Sequence, residues 1–143
     1  MAGADMGECS SRKLLVVDDL PEVCELFAAI AASCGFEVRC ATGFDEFAHV
    51  MQEFDPAIVL VDLQMPGRDG IELLRHLGAC HSRAGVIITS GMGERVLVAS
   101  QQIGRAHGLN MLGALQKPIA VEQLAALLTD PKVTQSVRAA MEA

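Results

Sequence analysis

Val59-Leu60-Val61-Asp62-Leu63-Gln64-Met65-Pro66-Gly67-Arg68-Asp69-Gly70 is the stretch that decides the fold. An apolar run ends in one carboxylate and breaks at once into Pro-Gly and Asp-Gly, which describes a buried strand delivering an acid to a loop. Two other segments have the same form. Leu14-Leu15-Val16-Val17 ends in Asp18-Asp19, and Met111-Leu112-Gly113-Ala114-Leu115-Gln116 ends in Lys117-Pro118. Parallel strands bring their carboxyl ends to a common edge, where open α/β sheets bind ligands, so three acids and a lysine are expected to meet there. Such a cluster suits a divalent cation together with an anion.

Outward from that edge, apolar runs of strand length alternate with segments of helical period, the sign of a parallel sheet covered on both faces. Strands are expected near Lys13 to Val17, Phe36 to Ala41, Ala57 to Val61, Val86 to Thr89 and Met111 to Gln116. The first helix is opened by Pro21 and closed by Gly35, with Val23, Leu26, Phe27 and Ile30 inward. Further helices are expected over Phe44 to Gln52, over Ile71 to Cys80 with Leu73, Leu74 and Leu77, over Glu94 to His107, and over Val121 to Leu128 with Leu124, Leu127 and Leu128 inward. Asp130 suits the cap and Pro131 the first turn of a last short helix, on which Val133, Val137 and Met141 form a weak apolar stripe. The expected division is a flexible tail over residues 1–11, one domain over 12–129, and a C-terminal helix or linker start over 130–143.

A chain of 143 residues with 51% hydrophobic content has the size and the apolar stock of one domain. Its net charge of −7 disfavours binding to nucleic acid or anionic membrane, both of which need a basic footprint. No apolar run approaches the ~18 residues of a membrane span. Met1 to Ser11 has neither the basic start nor the apolar stretch of an export signal, so a cytoplasmic protein is expected. Cys9, Cys24, Cys34, Cys40 and Cys80 are odd in number and lack C-x-x-C spacing, which makes reduced thiols the expectation. His49, His76, His81 and His107 read as surface residues, and Met6, Met51 and Met92 as core filler.

The motifs in their order resemble the response-regulator receiver domains of two-component signalling, over roughly residues 12 to 129. The likeness rests on the acidic pair after the first strand, the lone Asp62 in a D-x-x-M-P-G-x-x-G loop after the third, a hydroxyl after the fourth and Lys117-Pro118 after the fifth. It implies a single α/β domain whose five-stranded parallel sheet is doubly wound as (βα)5, flavodoxin-like and CheY-like. It also implies roles by matching position. Asp62 would be the phosphoacceptor, becoming an acyl phosphate. Mg²⁺ would be the cofactor, bound by Asp19 and Asp62 directly, by the Gln64 backbone carbonyl, and by Asp18 partly through water. Lys117 would pair with Asp62 at rest and with a phosphoryl oxygen afterwards. The family pattern puts the switch hydroxyl last in the fourth strand before a small residue, which favours Ser90, followed by Gly91, over Thr89 on the opposite pleat.

The resemblance implies a switch that catalyses only its own phosphorylation and dephosphorylation. Upstream partners would be a sensor histidine kinase or a histidine phosphotransfer protein. Downstream, a protein or a second copy would bind the face built by the helix Glu94 to His107, the fifth strand and the helix Val121 to Leu128, with no direct contact to nucleic acid or membrane. Many receivers carry an aromatic residue three positions before the lysine; Ala114 stands there in this chain, so the readout must run through other side chains.

Other readings stay open to the residues alone. Taken singly, Asp18-Asp19 fits a cap for the helix that begins near Pro21. A haloacid-dehalogenase-like phosphatase also uses an aspartyl phosphate and Mg²⁺, but as D-x-D after its first strand, where this chain has Asp18-Asp19-Leu20. A receiver-like scaffold that never takes phosphate would not need Asp18, Asp19, Asp62, Ser90 and Lys117 together. The run Gly108-Leu109-Asn110-Met111-Leu112-Gly113 resembles receivers joined to cyclic-dinucleotide phosphodiesterase domains, so an N-terminal fragment of such a protein is the alternative.

Overall fold

Five apolar runs become the strands of one parallel sheet in a computed structural model that describes residues 12–64, 70–80 and 82–142. The strands are β1 (Lys13–Val17), β2 (Glu37–Ala41), β3 (Ile58–Asp62), β4 (Gly85–Ser90) and β5 (Asn110–Gln116), in the spatial order β2-β1-β3-β4-β5. All four pairings are parallel. The expected tail over residues 1–11 with Met6 and Cys9, the turn Met65-Pro66-Gly67-Arg68-Asp69, His81 and the side chain of Met141 lie outside the described residues.

Helices α1 (Pro21–Ser33), α2 (Phe44–Phe54), α3 (Gly70–Ala79), α4 (Glu94–Ala106) and α5 (Val121–Leu128) link and follow the strands, and α6 (Pro131–Glu142) comes last. Because successive strand residues point to opposite faces, the apolar runs supply two cores. Leu15, Val17, Val59, Val61, Val86 and Ile88 pack on Phe47 of α2, Leu73, Leu74 and Leu77 of α3, and Leu97 of α4. Leu14, Val16, Ile58, Leu60 and Ile87 pack on Phe27 and Ile30 of α1, Leu124 and Leu128 of α5, and Val133 and Val137 of α6. Strands β3 and β4 are buried from end to end, as interior strands covered on both faces must be, whereas the edge strand β2 leaves Glu37 and Arg39 in water.

The structure corrects several expectations. Strand β3 runs through Asp62 and β4 through Ser90, one residue beyond the expected ends, because Asp62 and Thr89 are still in register and the Leu63 N–H still reaches the Thr89 carbonyl at 2.9 Å. Leu26 is 48% exposed; α1 is rolled so that Cys24, Phe27, Ile30 and Ala31 face the sheet. Met92 is no core filler, being 58% exposed. His76 is half-buried, with its ring edge-on to Phe44 and Phe47 at centroid separations of 5.3 and 5.6 Å.

Gly70, the last residue of the opening stretch, is held by packing. A Cβ there would lie 2.5 Å from the Cα of Leu63 and 3.1 Å from the Asp62 carbonyl oxygen, both backbone atoms next to the acid. Only glycine lets α3 start this close to the end of β3. Gly70→Ala should therefore cost about 1–3 kcal/mol in denaturant unfolding and shift the Leu63 amide resonance. An unchanged midpoint would refute the close approach.

Candidate functional site

The register of the sheet brings the acids together. Val17 pairs with Val61, so the next residues, Asp18 and Asp62, emerge side by side from β1 and β3. Ser90 pairs with Gln116, so Lys117 rises one step beyond β5, and its N–H donates to the Ser90 carbonyl at 2.8 Å. Carboxylate oxygens of Asp18, Asp19 and Asp62 all lie within 4.8 Å of one another, the only such potential metal-binding group among the described residues. Asp18 and Asp62 are buried and Asp19 is half-buried.

The two buried acids divide their oxygens in the same way. Asp18 Oδ1 accepts the Leu20 N–H at 3.0 Å, and Asp62 Oδ1 accepts the Gln64 N–H at 3.0 Å. Each turn after the strand is thereby folded back onto its acid. The remaining oxygens meet the lysine, with Lys117 Nζ 2.8 Å from Asp18 Oδ2 and 3.3 Å from Asp62 Oδ2. Asp18 is thus both a turn residue and the lysine's nearer partner; the expected resting pair with Asp62 exists, but it is the longer of the two. The helix cap read for Asp18 is not made, since Leu20 is the N-cap of α1 and has no side-chain cap.

Burial raises the Asp62 carboxyl above its ordinary value; the Gln64 N–H and the Lys117 charge pull it down without winning, and the Asp18 charge adds to the rise. Burial pulls the Lys117 ammonium down, but the bonds and charges of Asp18 and Asp62 outweigh this and hold it above the usual lysine value. Among the described residues the edge sets one ammonium, paired with Asp18 and Asp62, against three carboxylates, and that surplus is negative. A cluster of hard oxygen donors with surplus charge fits Mg²⁺, and the Gln64 carbonyl two residues after Asp62 belongs to the same edge.

The register also corrects the hydroxyl geometry. Thr89 is directly across from Asp62 and shares its face, so Thr89 does not point away from the acid as simple alternation suggested. Ser90, fully buried, is one residue further out on the other pleat, and its Oγ accepts the Met92 N–H at 3.0 Å. Two contacts had no signal in the sequence. The Gln64 side chain accepts the Gly91 N–H at 2.8 Å, and the Cys24 thiol donates to the Asp18 carbonyl at 3.3 Å. Burial pushes the Cys24 thiol up to about 12, with the neighbouring Cys40 adding to the shift, so it stays protonated and keeps that bond. Cys24, Cys34, Cys40 and Cys80 are all free thiols.

A family model for the response regulator receiver domain matches residues 14–129. The regulatory protein AtoC of Escherichia coli (strain K12) is 32% identical over 83 residues, which are 58% of this chain and 18% of AtoC. The chain therefore spans less than a fifth of the length of that relative. Among solved structures, NtrX from Brucella abortus superposes with a TM-score of 0.74 at 26% identity, covering 87% of this chain and 27% of NtrX. A response regulator receiver domain protein from Clostridium thermocellum superposes with a TM-score of 0.72 at 22% identity over 89% of this chain and 94% of its own, a likeness of fold. No helix among the described residues is long and apolar enough to cross a membrane.

The raised carboxyl of Asp62 has a consequence for stability. A folded-state pKa above the unfolded one means that ionising the group costs stability as pH rises from the ordinary carboxylate value through the raised one. Metal-free Asp62→Asn should melt higher than the unsubstituted protein at neutral pH, and the gap should close as pH falls through that window. Thermal melts in chelator check this; a variant that melts lower at neutral pH would show that the Lys117 pair outweighs burial.

Proposed function

Because the chain belongs to the response regulator receiver domain family, we propose that it is a phosphorylation-operated domain of two-component signalling in which Asp62 receives the phosphoryl group from a histidine kinase or a histidine phosphotransfer protein. The observation that carries this reading is the arrangement of Asp62 itself. It ends a fully buried strand, its carboxyl is raised by burial, and its Oδ2 lies 3.3 Å from Lys117 Nζ. A carboxylate oxygen of Asp62 attacks phosphorus in line, the bond from phosphorus to the donor imidazole nitrogen breaks, and the nitrogen keeps the electron pair. The product is an acyl phosphate, and the domain turns over no other substrate.

Asp18, Asp19, Asp62 and the Gln64 carbonyl would hold Mg²⁺, whose charge offsets the repulsion between carboxylate and phosphoryl oxygens. Lys117 moves its contact from Asp62 Oδ2 to a phosphoryl oxygen while Asp18 keeps it anchored, which supports Asp18 as a positioning residue for the lysine. Ser90 senses the new group. Its oxygen accepts from Met92 and still has a proton to donate, and it sits at the outermost position of β4; Thr89, level with Asp62, is the competing hydroxyl.

The signal leaves by protein contact, to a downstream protein or a second copy, on the face of α4, β5 and α5. Val98 of α4 and Val121 of α5, each about half exposed, give that face apolar area, and the charge of −7 disfavours nucleic acid and membrane. With Ala114 in place of an aromatic lever, the expected coupling between phosphate and partner is about 1–3 kcal/mol. The cytoplasm, where kinase and phosphoryl donor reside, is the proposed compartment.

Intact-mass measurement tests the acceptor. With acetyl phosphate and Mg²⁺ the protein should gain one phosphoryl group; gain that persists in Asp62→Asn, or that is equally fast in excess chelator, would refute the nucleophile or the metal. Amide spectra with beryllofluoride, an acyl-phosphate mimic, decide the hydroxyl. Ser90→Ala should bind the mimic yet shift the amides of Gly91 to Ala106 by less than half as much; if Thr89→Ala has that effect instead, the switch is Thr89.

A further inference from the structure

Gln64 enters the site through its backbone, yet its side chain makes the link between the two loops that border the acid edge. Its N–H donates to Asp62 Oδ1 at 3.0 Å, and its Oε1 accepts the Gly91 N–H at 2.8 Å. One residue therefore connects the acid to the first residue beyond β4. The segment Ser90 to Met92 has two other ties, the Ser90 carbonyl to the Lys117 N–H at 2.8 Å and Ser90 Oγ to the Met92 N–H at 3.0 Å. Of the three, only the tie to Gly91 is made by a side chain reaching across the site.

That tie is also the one built to break. Both of its partners are exposed, and a neutral hydrogen bond in contact with water contributes little net stability. Gly91 leaves the approach to its amide open, since a Cβ there would sit 3.3 Å from Gln64 Oε1. At rest the oxygen that binds this N–H belongs to an uncharged carboxamide, on a residue whose own N–H is bonded to Asp62.

We propose that the Gln64 carboxamide is a resting-state latch, holding the Gly91 N–H in the place that an oxygen of a phosphoryl group on Asp62 takes over. The proposal rests on Asp62 as phosphoacceptor. An ionised oxygen is a stronger acceptor than an amide oxygen, so the exchange runs toward the phosphoryl group once that group is present. The release frees Gln64 and draws Gly91 toward Asp62, and Gly91 lies two residues before the N-cap of α4, Gly93. The start of α4 thereby senses phosphate without any aromatic residue at Ala114. Gln64 acts through Gly91 and is a positioning residue.

Amide spectra of the full chain titrated with beryllofluoride in Mg²⁺ test this in Gln64→Ala and Gln64→Glu. Before any ligand is added, Gln64→Ala should move the Gly91 amide proton upfield and speed its exchange with water. The beryllofluoride midpoint should fall about two- to tenfold, the factor that corresponds to losing one neutral hydrogen bond from the resting state alone. Gln64→Glu, whose carboxylate holds the N–H more strongly and repels the incoming anion, should raise the midpoint. An unmoved Gly91 amide, or a midpoint in Gln64→Ala that is unchanged or higher, overturns the latch. Failure of the unsubstituted protein to bind beryllofluoride overturns the phosphoacceptor reading, and the latch with it.

Discussion

The structure depends on one ammonium shared between two buried carboxylates. Lys117 joins Asp18 across 99 positions of chain and Asp62 across 55, so three strand ends that are remote in sequence are tied at a single nitrogen. Removing Lys117 would leave two buried carboxylates without their cation, which is far more costly than losing an exposed pair, whereas removing the Asp62 charge leaves Lys117 held by Asp18. Several contacts of the edge converge on that cluster. The interior strands β1 and β3 carry the acids, their turns fold back as N–H donors to the same carboxylates, and Cys24 on α1 holds the Asp18 carbonyl.

The described cluster is not neutral, and the proposed chemistry uses that imbalance. Asp19 adds a third carboxylate without adding a cation. In the proposed function a divalent cation would offset that surplus and let the edge take an anionic group that bare carboxylates would repel. The carboxylates of Asp18 and Asp62 hold Lys117 above its usual value against the pull of burial, and burial, with the Asp18 charge adding to it, holds Asp62 above its own. Below the edge lie two apolar layers, and α6 adds Val133 and Val137 to the one that holds α1 and α5.

Much of this was legible in the sequence because strand ends are punctuated there. Apolar runs closed by Asp18, Asp62 and Lys117 give the sheet, its functional edge and the charged set without reference to any contact. What escaped was whatever depends on rotation or reach. Helix α1 is apolar around much of its surface, so periodicity could not choose between Leu26 and Cys24 as the inward residue, and packing against β1 and β2 chose Cys24. Alternation along β4 separates Thr89 from Ser90 but cannot say which shares a face with Asp62; that needs the register between β3 and β4. The Gln64 side chain spans 27 positions to Gly91, a contact that only the folded loops create. His76 was read as a surface residue because its aromatic neighbours Phe44 and Phe47 come from a distant helix.

In the proposed function the surplus of carboxylates at the strand ends is a cation site. Titration with Mn²⁺, a paramagnetic substitute for Mg²⁺, tests it most directly when followed by amide line broadening. The resonances of Asp18, Asp19, Asp62, Gln64 and Lys117 should broaden first, excess Mg²⁺ should restore them, and Asp19→Asn should weaken the effect. Broadening that begins instead at exposed acids such as Glu22, Glu25, Asp45 or Glu46, with the strand ends unaffected, would contradict it.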